Sequence, residues 1–139
     1  MPHIYDDFRA IASRIPDAVA VEYCHRAGID QVTFGELAAQ AEQAASTLSA
    51  RGVGAGDRCA LLAENHYRWF VGYLGILRLG AVAVPLDTLY SVSQVHTVLR
   101  DSNAKAIVAS SRYLDTARSA RRLPCVRTTP LGSLVVPDV

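Results

Sequence analysis

The stretch Gly52-Val53-Gly54-Ala55-Gly56 has the glycine spacing of a loop that could cradle a phosphate with its backbone N–H groups. Such a loop follows a strand and opens a helix, so that the helix N-terminus faces the anion. Here a helical pattern comes before and a strand pattern after, which predicts a helix stop plus a turn. Lys105 is the only lysine, and no Gly-x-x-x-x-Gly-Lys-Ser/Thr motif occurs. In its strand context Lys105 is expected to be a strand-edge charge. His3, His25, His66 and His96 are scattered, without the i, i+4 helical pair that would suggest a metal. Cys24, Cys59 and Cys125 form no Cys-x-x-Cys pair, and Cys59 is expected to be a small buried hydrophobe. No Gly-x-Ser-x-Gly elbow is present, and Ser110-Ser111 is expected to cap a helix. Trp69, Phe70 and Tyr73 could form a ligand-stacking strip, but their helical spacing favours core packing. Arg112, Arg118, Arg121 and Arg122 could bind an anion; cations near a helix C-terminus are favoured by its dipole anyway, and a solvated face is expected. No catalytic, cofactor-binding or metal residue is assigned.

The elements that must position these residues are clearest between Asp57 and Asp87. Cys59 to Ala63 is an apolar run of strand length. Asn65 is the expected N-cap of a helix whose apolar face is His66, Trp69, Phe70, Tyr73, Leu74 and Leu77. Gly80 ends that helix in the left-handed region. Ala81 to Val84 is a second strand, stopped by Pro85. Strand, helix, strand in this order make a right-handed βαβ unit with parallel strands.

Upstream, Ile4, Phe8, Ile11 and Ile15 form a helical stripe that Pro16 terminates. Ala18 to Tyr23 is a strand, Gly28-Ile29-Asp30 a turn, and Gln31 to Phe34 the hairpin partner. Thr33 or Gly35 opens a helix from Glu36 to about Arg51, and Thr33 with Glu36 fits a capping box. Its face of Leu37, Ala41, Ala44, Ala45 and Leu48 is narrow and small, as expected of a helix lying flat on strands. Gly52 ends it. Downstream, Ser91 and Gln94 form a second capping box, with Val95, Val98 and Leu99 facing inward. Asp101-Ser102-Asn103 stops that helix, and Ala104 to Ala109 is a further strand. A helix then runs to about Arg121, broken by Pro124, and Cys125 to Thr128 is a last strand candidate. The expected architecture is α/β, a layered helix–sheet–helix with a mostly parallel sheet. Residues 1–128 form one partial domain, and residues 129–139 an apolar tail without a clear period.

The chain has 139 residues and 50% apolar composition, enough for one core. A net charge of +1 gives no reason to expect nucleic acid as a partner. The apolar segment Trp69 to Leu79 is interrupted by Arg78 and is too short to span a membrane. The N-terminus is acidic and lacks an apolar segment, so no signal peptide and a cytoplasmic location are expected.

Four segments resemble the N-terminal part of the adenylate-forming (AMP-binding) superfamily of acyl-CoA synthetases, peptide-synthetase adenylation domains and luciferases. Val32-Thr33-Phe34-Gly35-Glu36-Leu37 is similar to its opening motif, an aromatic residue followed by x-Glu-Leu. Gly52 to Leu62 is similar to its Gly-Val-x-x-Gly-Asp-x-Val segment. Gly75 to Asp87 is similar to its Leu-x-x-Gly-Ala helix end running into a strand that closes on Pro-Leu-Asp. Asp101-Ser102-Asn103-Ala104-Lys105 matches its Asp-Ser-x-Ala-Lys. Together they cover about residues 5 to 115. Asn65 with Trp69 and Phe70 leans toward the acyl-CoA ligases, with the fatty-acid type favoured.

The resemblance implies a two-step reaction in the full-length family. A carboxylate attacks the α-phosphate of ATP with Mg²⁺ present, giving an acyl-adenylate and pyrophosphate; a thiol, commonly coenzyme A, then displaces AMP. The Thr-x-Gly-x-Pro-Lys loop, the aromatic Thr-Glu metal segment, the ribose-binding aspartate and the catalytic lysine are missing from this chain. Thr128-Thr129-Pro130-Leu131-Gly132-Ser133 echoes the loop without its lysine. The chain is thus expected to be a framework fragment, inactive alone, with no cofactor of its own. Its expected partners are a second copy or the missing C-terminal part of the enzyme, the parent acting on a carboxylic acid. The alternative is a self-standing, non-catalytic binding or assembly module of the same fold. A flavodoxin-like nucleotide binder is disfavoured, because no glycine loop leads from a strand into a helix.

Overall fold

The computed structural model describes residues 3–122 and 134–135. The first half comprises helix α1 (Ile4–Arg14), strands β1 (Val19–His25) and β2 (Gly28–Thr33), and helix α2 (Phe34–Ala50). Strand β3 (Arg58–Leu62), helix α3 (Tyr67–Arg78) and strand β4 (Val82–Pro85) form the central unit. Helix α4 (Val92–Asp101), strand β5 (Ala106–Ala109), a 3-10 turn (Ser111–Tyr113), helix α5 (Leu114–Arg122) and strand β6 (Leu134–Val135) follow.

β1 and β2 are an antiparallel hairpin, while a separate sheet runs β4-β3-β5-β6 with every pairing parallel. The βαβ unit is present as expected, Ala60 pairing with Val84 of β4 and with Ile107 of β5. Successive side chains of a strand point to opposite faces. Accordingly Cys59 and Leu61 join Leu48 of α2 and Ile76 of α3 in one cluster. Ala60 and Leu62 join Val95 and Leu99 of α4 and Ala117 and Ala120 of α5 in another. Both faces are covered, as parallel sheets require. A third cluster of Tyr5, Val32, Leu37, Ala41, Val71 and Leu74 ties α1 and the hairpin to α2 and α3.

Both expected capping boxes are present. Thr33 Oγ1 accepts from the Glu36 N–H while Glu36 accepts from the Thr33 N–H. Ser91 and Gln94 do the same at α4. Gly52 and Gly80, at φ 86° and 68°, end α2 and α3 as expected. Each helix closes with the 6→1 and 5→2 bonds of a glycine stop: Val53 N to Leu48 O and Gly52 N to Ser49 O, then Ala81 N to Ile76 O and Gly80 N to Leu77 O.

Seven local expectations are corrected. The buried side of α1 is Tyr5 and Ala12, with Ile4, Ile11 and Ile15 exposed, because Tyr5 also bonds to Glu42 of α2 and fixes the helix's rotation. The hairpin turn is Arg26-Ala27, and Gly28 already belongs to β2. Phe34 begins α2 because the capping box fixes Thr33 as N-cap. The small face of α2 meets mainly helix α3 and not the sheet. A Cβ at Gly75 would lie 2.8 Å from the Ala44 Cβ, so those small residues allow two helices to touch. α3 is capped by His66, whose Nδ1 accepts from the Arg68 N–H, and not by Asn65. Its fully buried residues are Val71, Gly72, Leu74, Gly75 and Ile76, because it is wedged between α2 and the sheet; Trp69 and Tyr73 pack partially and Phe70 is exposed. Ser110 makes no cap bond, and a 3-10 turn separates it from α5.

Cys125–Thr128 lies outside the described residues. Within the 129–139 tail, Leu134 and Val135 pair with Val108 and Ala109. Among the described residues no helix is long and apolar enough to cross a membrane.

Candidate functional site

The glycine loop lies at the amino end of β3, and the N–H groups of its three glycines are committed within the fold. Gly52 N donates to Ser49 O, Gly56 N to Gly80 O at 2.9 Å, and Gly54 N to Asp57 Oδ2 at 2.8 Å. Asp57 Oδ2 also accepts from Lys105 Nζ at 2.8 Å. The Lys105 ammonium, with the Gly54 N–H, holds the Asp57 carboxyl below the usual carboxylate range. Beside it, Arg58 Nε donates to Ser102 O at 2.9 Å. The starts of β3 and β5 are thus braced together. These residues do not fit ATP: the glycine amides of the loop and the lysine already have partners, and the loop opens a strand and not a helix. No phosphate chemistry is derived from them.

Parallel sheets bind ligands beyond the carboxyl ends of their strands. There, β3 runs into Ala63-Glu64-Asn65-His66, and β5 into Ser110. Ser110 Oγ donates to Glu64 Oε2, joining the two strand ends. Burial pushes the Glu64 carboxyl up; the Ser110 hydroxyl, its own N–H, Arg112 and His66 outweigh that and hold it below the usual range. A cavity of about 100 Å³ lies against Glu64, His66, Arg68, Trp69 and Ser110. A more open cleft of about 370 Å³ adjoins it between the hairpin and the start of α3, lined by Tyr23, Asn65, His66, Trp69 and Phe70. His66 and Trp69 line both. The Tyr23 and His66 rings are 4.3 Å apart, Trp69 stacks on Tyr73 at 5.1 Å, and Phe70 stands edge-on to Trp69 at 5.6 Å. Such rings can hold an apolar or planar group, with the Glu64–Ser110 pair as the polar end.

The other residues singled out in the sequence lie apart from this edge, except Arg112, whose charge reaches Glu64. His3 caps α1, and His25 Nε2 is 3.1 Å from Asp30 Oδ2. His96 is buried, its Nδ1 2.9 Å from Ala120 O, where it joins α4 to α5. Among the described residues no group of three His, Cys, Asp or Glu could hold a metal. Cys59 is fully buried as expected, and burial, then the Asp57 charge, pushes its thiol up to about 12. Arg112 lies 5.7 Å over the Tyr113 ring, Arg118 is exposed on α5 and Arg121 half-buried.

Three linkages were missed by reading the sequence: Asp57–Lys105, Glu64–Ser110, and the network in which Glu42 Oε1 accepts from Tyr5 Oη at 2.6 Å and Arg78 Nε at 2.8 Å. The first had a usable signal. Asp57 and Lys105 are opposite charges just before two strands, and strands two βαβ crossovers apart can be neighbours.

Residues 8–136 match the family described as AMP-binding enzyme. A mycosubtilin synthase of Bacillus subtilis is 35% identical over 105 residues, covering 76% of this chain and 4% of that protein. The long-chain-fatty-acid–CoA ligase FadD13 of Mycobacterium tuberculosis is 32% identical over 106 residues, covering 74% of this chain and 21% of the ligase. The inhibitor-bound N-terminal domain of FACL13 from Mycobacterium tuberculosis matches with a TM-score of 0.80 at 28% identity, covering 91% of this chain and 31% of that one. The parallel sheet, its glycine-stopped helices and the match along residues 8–136 agree: this chain belongs to the AMP-binding enzyme family and corresponds to the N-terminal part of its acyl-CoA synthetase members.

Proposed function

We propose that these residues are the supporting framework of an ATP-dependent carboxylate–CoA ligase acting on a fatty acid, and that the 139-residue chain alone forms no acyl-adenylate. The observation that carries this reading is the Asp57 brace. The glycine loop and the single lysine, the groups best suited to a phosphate, are engaged in holding β3 to β5. The fatty-acid assignment is supported by likeness to FadD13, of which this chain spans 21%. In this reading ATP, Mg²⁺, coenzyme A and the carboxylic acid are handled by polypeptide beyond these residues, which is the chain's partner. A cytoplasmic setting is in keeping with Cys24 and Cys59, both free thiols that a reducing compartment preserves. The test is ATP–pyrophosphate exchange with a panel of fatty acids. Exchange at background supports the reading, and robust, acid-dependent exchange overturns it.

A second reading, a self-standing binding module, is favoured by the aromatic cleft at the carboxyl edge. Trp69 is the only tryptophan and lines it. Saturable change in its fluorescence on titration with fatty acids or acyl-CoA supports the module. A flat titration removes it.

A further inference from the structure

We propose that the outer flank of α1 is a docking surface for a second copy of this chain, the two helices packing antiparallel. Tyr5 and Ala12 take the inward side of α1, yet Ile4, Ile11 and Ile15 remain 62%, 38% and 44% exposed. At offsets of seven and four residues they fall on one helix face and form an apolar seam along its length.

The charges beside this seam say what covers it. Asp7 and Arg14 are both exposed, and among the described residues neither side chain has a hydrogen bond or ion pair. They stand on one side of the seam, seven residues or about 10.5 Å apart, too far to pair within one helix. A two-fold axis that sets Ile4 against the second copy's Ile15 brings Asp7 within a turn of the second copy's Arg14. Symmetry makes that contact twice. A parallel two-fold would leave the two Asp7–Arg14 flanks on opposite sides of the seam, where neither charge meets a partner. A one-helix seam is well below the area of a standard stable interface, so the dimer is weak and concentration-dependent. The inference does not rest on the ligase reading.

Sedimentation equilibrium of the full 139-residue chain over a wide concentration range tests it, with circular dichroism to verify that each variant is folded. A monomer–dimer equilibrium is expected. Asp7→Arg or Arg14→Asp alone weakens it about tenfold, the double reversal restores it, and Ile11→Asp abolishes it. Ile4→Ser with Ile15→Ser, a milder change, weakens it as well. A monomer at every concentration overturns the proposal. So does a dimer indifferent to the isoleucine changes, or a double reversal as weak as the single ones.

Discussion

Lys105 Nζ and Asp57 Oδ2 lie 2.8 Å apart, joined across 48 positions of the chain. One stands just before β5 and the other just before β3, so the pair fixes the amino edge of the parallel sheet. Asp57 also receives the Gly54 N–H, which makes one carboxylate the anchor of a turn and of a strand junction.

Removing either partner leaves the other without its bond. Asp57→Asn and Lys105→Met are each expected to cost about 1 kcal/mol, a modest figure because a third of each side chain is exposed. In urea denaturation the double variant should lose less than the sum of the two singles, since they break one interaction. Strict additivity would show that the pair contributes nothing.

The same carboxylate sets an acid limit. Asp57, Glu42 and Glu64 are all held below the usual range in the folded chain. The unfolded chain therefore takes up protons first as pH falls, and stability decreases below about pH 4 until the folded-state values are passed. Asp57→Asn should make that acid limb shallower. An unchanged slope would contradict the assignment.

The four family-like segments and their capping boxes are legible because they act locally: Thr33 with Glu36, Ser91 with Gln94, and glycines at 52 and 80. What the sequence conceals is which helix face meets which neighbour. Ile4, Ile11 and Ile15 form a better apolar stripe than Tyr5 and Ala12, yet the latter are buried because Tyr5 finds Glu42. The alanines of α2 suit a sheet or a helix equally well; only Gly75 on α3, which leaves room for Ala44, decides for the helix. At the carboxyl edge Glu64 and Ser110 are ordinary residues until β3 and β5 become neighbours.

That helix contact predicts an order of effects. A Cβ at Gly75 would lie 2.8 Å from the Ala44 Cβ and 3.2 Å from the Ala45 backbone nitrogen, which cannot move without α2. At Gly72 it would meet the ends of the Leu61 and Val108 side chains at 3.0 and 3.3 Å, which can shift. Gly75→Ala should destabilise by about 1–3 kcal/mol. Gly72→Ala should be milder, because the helix preference of alanine, about 1 kcal/mol, offsets the crowding. Thermal melts giving the reverse order would contradict the packing described.

The buried thiol gives a chemical readout. In a Cys125→Ser background, a thiol reagent should modify Cys24 rapidly in the native chain. Cys59 should react only after unfolding, because its thiol is pushed up to about 12 and has no exposed surface. Two fast-reacting thiols before denaturation would contradict the placement of β3 in the core.

The most direct measurement is calorimetric titration of the 139-residue chain with a non-hydrolysable acyl-adenylate analogue. A framework whose phosphate-competent groups are already engaged should give no heat of binding up to saturating analogue. Stoichiometric, tight binding would contradict the account.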